Sequence, residues 1–118
     1  MTERIVPQPD PQLAPDNNPS VALEASRVIK ASPGVLYGLS GYNGNAGTRY
    51  IQLFNSTTVP ADTAVPVLAL PVADGEAFNF DFGPYGMGFS VGIVACNSST
   101  GPTKTVGAAD SWFTPRFK

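Results

Sequence analysis

After residue 20 the chain alternates apolar and polar side chains with a period of two. In Tyr50-Ile51-Gln52-Leu53-Phe54, Ile51 and Leu53 fall on one face and Gln52 on the other. Phe78, Phe80 and Phe82 oppose Asn79 and Asp81, and Phe89, Val91, Ile93 and Ala95 form a third stripe. This is the period of a strand with a buried face. It predicts strands over residues 21–29, 34–42, 49–55, 64–70, 77–82, 86–97 and 111–116. The first of these, which includes Val21-Ala22-Leu23-Glu24-Ala25-Ser26-Arg27, also reads as a short helix, and strand is preferred.

The punctuation agrees with short strands. Ser32-Pro33-Gly34, Asp74-Gly75 and Gly83-Pro84-Tyr85-Gly86 are turn sequences, and residues 97–103 form a polar loop. Asn43-Gly44-Asn45-Ala46-Gly47 reads as a hairpin connection between the second and third strands. No stretch offers an amphipathic crossover of helical length, which disfavours an α/β unit. The expected fold is therefore all-β, a small β-sandwich (jelly-roll or immunoglobulin-like) or a barrel. Gly38, Gly41, Gly88 and Gly92, inside or beside these strands, mark bulges, curvature or close backbone approach.

Residues 1–20 differ in kind. Pro7, Pro9, Pro11, Pro15 and Pro19 alternate with Gln, Asp and Asn. Proline removes an amide donor and fixes φ, so neither a helix nor a sheet interior suits this segment. It reads as an extended, proline-rich N-terminal arm ahead of a domain spanning 21–118. Such an arm is either a disordered tail or a strap lying on a neighbour, for which prolines lower the ordering entropy.

Composition narrows the chemistry. The 118 residues hold seven Lys plus Arg and nine Asp plus Glu, a net charge of −2, and charged residues make up only 14% of the chain. The basic residues are scattered, which argues against a phosphate-backbone footprint and hence against direct nucleic-acid binding. There is no histidine and one cysteine. The usual triads lose their base, zinc and haem lose their commonest nitrogen ligand, and no disulfide framework exists. Cys96, in Val94-Ala95-Cys96-Asn97, reads as a structural thiol in a strand. Asp74 and Glu76 straddle Gly75 as a solvated turn and match no calcium loop. The glycine-rich stretches 41–47 and 99–105 lack the spacing of phosphate loops. No cofactor and no metal site is expected, and the chain is not expected to be an enzyme. No 18-residue apolar run is present and residues 1–4 have no signal-peptide character, so neither a membrane partner nor export is expected. Among the aromatics Tyr37, Tyr42, Tyr50, Tyr85 and Trp112, the loop carrying Tyr85 is the best candidate for an exposed carbohydrate contact.

One likeness adds to this reading. The run Ala31-Ser32-Pro33-Gly34-Val35-Leu36-Tyr37-Gly38-Leu39-Ser40-Gly41-Tyr42-Asn43, followed by Arg49-Tyr50-Ile51-Gln52-Leu53-Phe54, resembles a group of small virion proteins of tailed bacteriophages and related prophage proteins. So does Phe82-Gly83-Pro84, with Gly92-Ile93-Val94-Ala95-Cys96-Asn97-Ser98-Ser99-Thr100-Gly101-Pro102-Thr103-Lys104-Thr105 further on. The resemblance spans residues 30–117 and omits the arm. It implies a β-sandwich building block of a virion, without catalytic activity, made in the bacterial host cytoplasm. The favoured role is a capsid decoration (cement) protein, a homo-oligomer with a trimer preferred. Its arm would meet the major capsid protein or another virion protein through Ile5, Val6, Pro7, Pro9, Pro11, Leu13 and Pro15. The rival is a tail, fibre or neck module that binds a host-surface glycan, with Tyr42 and Tyr85 as contacts, or another virion protein.

Overall fold

The computed structural model describes residues 14–118, so Ile5, Val6, Pro7, Pro9, Pro11 and Leu13 lie outside the described residues. Among the described residues nine strands form two antiparallel sheets. They are β1 (Asp16–Asn17), β2 (Ser26–Lys30), β3 (Gly34–Asn43), β4 (Arg49–Phe54), β5 (Leu68–Val72), β6 (Ala77–Asp81), β7 (Met87–Phe89), β8 (Ile93–Ser98) and β9 (Ser111–Phe117). Sheet A runs β1-β9-β3-β6, and sheet B runs β2-β8-β4-β5. Strand β6 pairs with residues 38–42 of β3 and β7 with residues 34–36, so β6 and β7 share one edge, interrupted by residues 82–86. Counting that edge as a single strand leaves eight strands, in the orders 1-8-3-6 and 2-7-4-5. That is the double Greek key of a jelly roll. The immunoglobulin-like and barrel alternatives do not have this order.

The core fills the space between the sheets. Leu36, Leu39 and Phe113 from sheet A meet Ile51, Leu53 and Ile93 from sheet B, all at most 1% exposed. Phe78 stacks on Phe80 with ring centroids 5.0 Å apart and tilts against Phe113 at 6.4 Å, which places the phenylalanine stripe of β6 in the core. Strand β8 is buried on both faces along its whole length. Ile93 and Ala95 face the core, while Val94 and Cys96 face outward into a second cluster with Phe54, Val28 and Ala64.

Two loops make that second cluster possible. Residues 55–67 and 99–107 fold over the outer face of sheet B and bond to each other, Thr63 N–H donating to Lys104 C=O and Lys104 N–H to Ala64 C=O, both at 2.8 Å. Gln52, the polar side of the β4 alternation, is fully buried beneath them. Its Nε2 donates to the carbonyls of Thr100, Gly101 and Thr103 at 2.9, 2.9 and 3.1 Å. The carboxamide therefore ties the 99–107 loop to β4 through three backbone carbonyls.

The structure redraws several sequence boundaries. The predicted strand 86–97 is two strands in different sheets, and its stripe breaks at Val91, which is 46% exposed. The crossing is at Gly92, where a Cβ would collide with the Ser56 and Lys30 carbonyls. Asn55 Oδ1 accepts from the Val91 and Gly92 amides at 2.8 and 3.3 Å and fixes the bend. Gly38 and Gly41 also sit where a side chain would collide, whereas Gly88 faces open space. The connection 43–47 links sheet A to sheet B and is no hairpin. Asn43 turns it, its Nδ2 donating to the carbonyls of Gly47, Val72 and Ala73 within 3.1 Å. The first predicted strand contracts to β2, after an exposed stretch containing Val21 and Leu23, and the described residues hold no helix. The strand expected at 64–70 shifts to β5, an edge strand that tolerates Pro71.

The described end of the proline-rich segment is bound to the domain. Asp16–Asn17 pairs with Arg116–Phe117, and Ser20 exchanges bonds with Phe113 through its amide and hydroxyl. Arg27 of β2 donates to Asn18 C=O and Oδ1, both at 2.6 Å, and pairs with Glu24, linking sheet B to this strap. Pro115 points its missing donor at the strap, the side to which Phe113 also directs its amide, so no bond to β3 is lost.

Replacing Gln52 by leucine keeps the volume and removes the donor. The expected loss is about 1–3 kcal/mol of unfolding free energy, three hydrogen bonds to the loop given up together. Urea unfolding followed by circular dichroism measures it, and a change below about 0.5 kcal/mol would show that the clamp does not hold the loops.

Candidate functional site

The two sheets treat their outer faces differently. That of sheet B lies under loops, but on sheet A three strands stand side by side with no loop across them among the described residues. Pairing places Gly38 between Arg116 and Asp81, Ser40 between Thr114 and Asn79, and Tyr42 between Trp112 and Ala77. Directly paired residues project to the same side, so these nine positions form one polar-aromatic surface. Their partners in alternation, such as Phe113, Phe117, Leu39 and Phe78, are the core.

At the Arg116–Gly38–Asp81 end this surface deepens into a cleft of about 490 Å³, lined by Pro15, Tyr37, Asp81, Gly83, Pro84 and Arg116. Tyr37 reaches it through the β3 bulge between Leu36 and Gly38. The strap contributes Pro15, and the interruption between β6 and β7 contributes Gly83 and Pro84. The Arg116 guanidinium lies across Gly38, where any Cβ would collide with it. Asp81 Oδ1 accepts from the Gly83 amide at 2.9 Å. Arg116 and Asp81 do not pair with each other. The ion pairs among the described residues are Arg27–Glu24, Arg49–Asp110, Lys104–Asp62 and Lys118–Asp16. A second hollow of about 560 Å³, lined by Pro33, Gly34, Val35, Asn55, Gly88, Phe89 and Ser90, has no charged lining residue.

The sequence candidates fall in separate places. Pro15 lines the cleft. Tyr85 is 93% exposed in the loop whose Gly83 and Pro84 line the cleft, and Tyr42 is half-buried beside Trp112. The two tyrosines are not brought together. Tyr85 belongs to the interruption opposite Tyr37, and Tyr42 is five residues further along β3, about 16 Å away at the rise of a strand. Tyr50 lies under Gly101 on the far side of the sandwich. Sequence reasoning did not single out Arg116, Asp81 and Tyr37 as one group. Part of the signal was present in the alternation of Trp112, Thr114 and Arg116 with Phe113, Pro115 and Phe117.

The remaining reactive groups are used structurally. Cys96 is fully buried, and burial pushes its thiol up to about 11, against a smaller opposing pull from the Lys104 charge. A thiol at that value is almost wholly protonated near neutrality and is a poor nucleophile. Lys104 is buried and donates to Asp62 Oδ1 at 3.1 Å, while the Val106 amide reaches the same oxygen at 3.0 Å. Asp74 and Glu76 are exposed about a turn with Gly75 at φ 65°. Among the described residues no three His, Cys, Asp or Glu side chains come together. No family model matches the chain, and neither a curated protein nor a solved structure matches it.

The Asp62 link gives a pH dependence. The Lys104 ammonium, and then the Val106 amide, hold the Asp62 carboxyl below its ordinary value of 3.8. A depressed folded-state value stabilises the fold above the unfolded value, and that stabilisation is lost as pH falls through the folded one. Asp62→Asn is therefore less stable than the parent at neutral pH, and the gap narrows below about pH 4. Urea midpoints of both proteins across this range test it; a gap independent of pH would exclude the carboxylate as its source.

Proposed function

We propose that the chain is a non-catalytic structural module of a tailed-bacteriophage particle, a jelly-roll block that decorates the capsid. The strap carries this reading. Asp16–Asn17 is a strand of sheet A, and Ser20, Asn18 and Lys118 add further ties, Lys118 Nζ donating to Ala14 C=O at 3.3 Å. A contact made by residues 2–13 is thus transmitted to a sheet and not through a slack linker, as a protein that reinforces a shell requires. The phrases that resemble small phage virion proteins fall on β3, β4 and β8 and on the loops at 82–84 and 99–105, and these three strands are interior strands of the two sheets. The jelly roll itself serves capsid and lectin domains alike, so the fold supports the class and the strap supports the role.

In this reading the domain associates with copies of itself about a three-fold axis, and the proline-rich segment contacts the major capsid protein or a neighbouring copy. Exposed valines around the sheet B loops, Val65 at 73%, Val67 at 51% and Val106 at 53%, supply apolar surface for such contacts. Many weak sites on one shell then add stability by mass action.

Deleting residues 2–13 keeps the strap and tests the role. The shortened protein should unfold at the same urea concentration as the full chain, yet bind its phage's undecorated capsids at least tenfold more weakly in co-sedimentation. Equal binding by the two proteins would remove the segment from the function.

A further inference from the structure

The cleft on sheet A contains a cation and an anion that the fold keeps apart. Arg116 on β9 and Asp81 on β6 both pair with Gly38 of β3, so their backbones stand two strand spacings apart, about 9–10 Å. Gly38 leaves the floor between them bare. Arg27, Arg49 and Lys104 are each spent on an acidic partner close at hand. Arg116 instead lays its planar guanidinium over the glycine, and Asp81 spends one oxygen on the Gly83 amide. The walls are a phenol ring, Tyr37, and two proline rings, Pro15 and Pro84.

These features select a ligand. A guanidinium binds a carboxylate through two parallel hydrogen bonds, and a carboxylate accepts from hydroxyls. Tyrosine and proline rings offer apolar surface to the C–H face of a sugar. We propose that this cleft binds a carboxylated pyranose, a uronic or sialic acid residue of a surface glycan. The sugar carboxylate lies on Arg116, its hydroxyls face Asp81, and its ring packs against Tyr37 and Pro84. Gly38 is required because any side chain there displaces the guanidinium. A neutral sugar leaves Arg116 without its partner, and a plain anion leaves Asp81 without one.

Binding is tested by titrating the isotope-labelled full chain with N-acetylneuraminic acid, glucuronic acid, galactose and acetate, following the Arg116 Nε–H and the Gly38 and Gly83 amides by NMR. The expected result is saturable shifts at these three groups with at least one acidic sugar. Galactose and acetate should bind at least tenfold more weakly. Which acidic sugar binds distinguishes a sialylated from a uronate-bearing surface. Arg116→Gln, Asp81→Asn and Gly38→Ala should each weaken binding more than tenfold, while Tyr85→Ala leaves it within twofold. The wild-type shifts stand on their own if a variant fails to fold. No shift at the three groups with either acidic sugar would overturn the proposal. So would acetate binding as tightly as the sugars with no effect of Asp81→Asn, the signature of an anion pocket or of a seat for an acidic protein segment.

Discussion

Strand β8 must be buried on both faces, and the rest of the molecule follows from how a chain this short achieves it. Toward the core, sheet A supplies the cover through Phe113, Leu36 and Leu39. On the other face the described residues hold no third layer, so loops 55–67 and 99–107 serve. Loops carry backbone carbonyls that cannot be buried unpaired. The Gln52 carboxamide and the Asp62–Lys104 pair supply the partners, and Val94 and Cys96 stay dry beneath them. Asn43 does the same at the crossing between the sheets, and Asn97 at 107–111, where its Nδ2 reaches Ala108 C=O, Asp110 and Ser111 within 3.0 Å. Neutral carboxamides do much of the tying that a more highly charged or disulfide-bonded chain leaves to ion pairs and cystines.

With the loops committed to sheet B, the outer face of sheet A is left as a broad surface that no other described loop crosses. Its side chains are placed by strand pairing, which positions them more firmly than loop tips would. The strap borders it at Pro15 and ties the proline-rich segment to the same sheet. One sheet therefore bears both the proposed attachment and the proposed sugar cleft, and the other supplies the sealed half of the core. In the proposed role the block offers a recognition face while its attachment holds.

Much of this was legible wherever one face of a strand is buried. Strands β3, β4, β6 and β9 appear in the sequence within two residues of their observed ends because their alternation survives over most of their length, the β3 bulge at Tyr37 excepted. Three things were not legible, each for a physical reason. The apolar stripe runs on through Val91 although the chain changes sheet there, because the break is made by residues distant in sequence, Asn55 and Ser56 just past β4 and Lys30 at the end of β2. The turn chemistry of residues 43–47 is the same whether the chain reverses within a sheet or passes between sheets. Strand β1 has two residues among prolines, too few for any period. The cleft is a matter of strand order: Tyr37, Asp81 and Arg116 meet only because β3 lies between β6 and β9. Tyr85 was visible because an exposed aromatic in a Gly-Pro loop announces itself locally.

Native-state amide hydrogen exchange distinguishes a sealed sheet B from one under loosely lying loops. The amides of Thr63, Lys104 and Val67, each bonded at 2.8 Å, should exchange on the same slow timescale as Val94 to Asn97 in β8, and all should respond alike to low denaturant. If those loop amides exchange freely while β8 stays protected, the loops lift without unfolding the sandwich, and they do not form the second wall of its core.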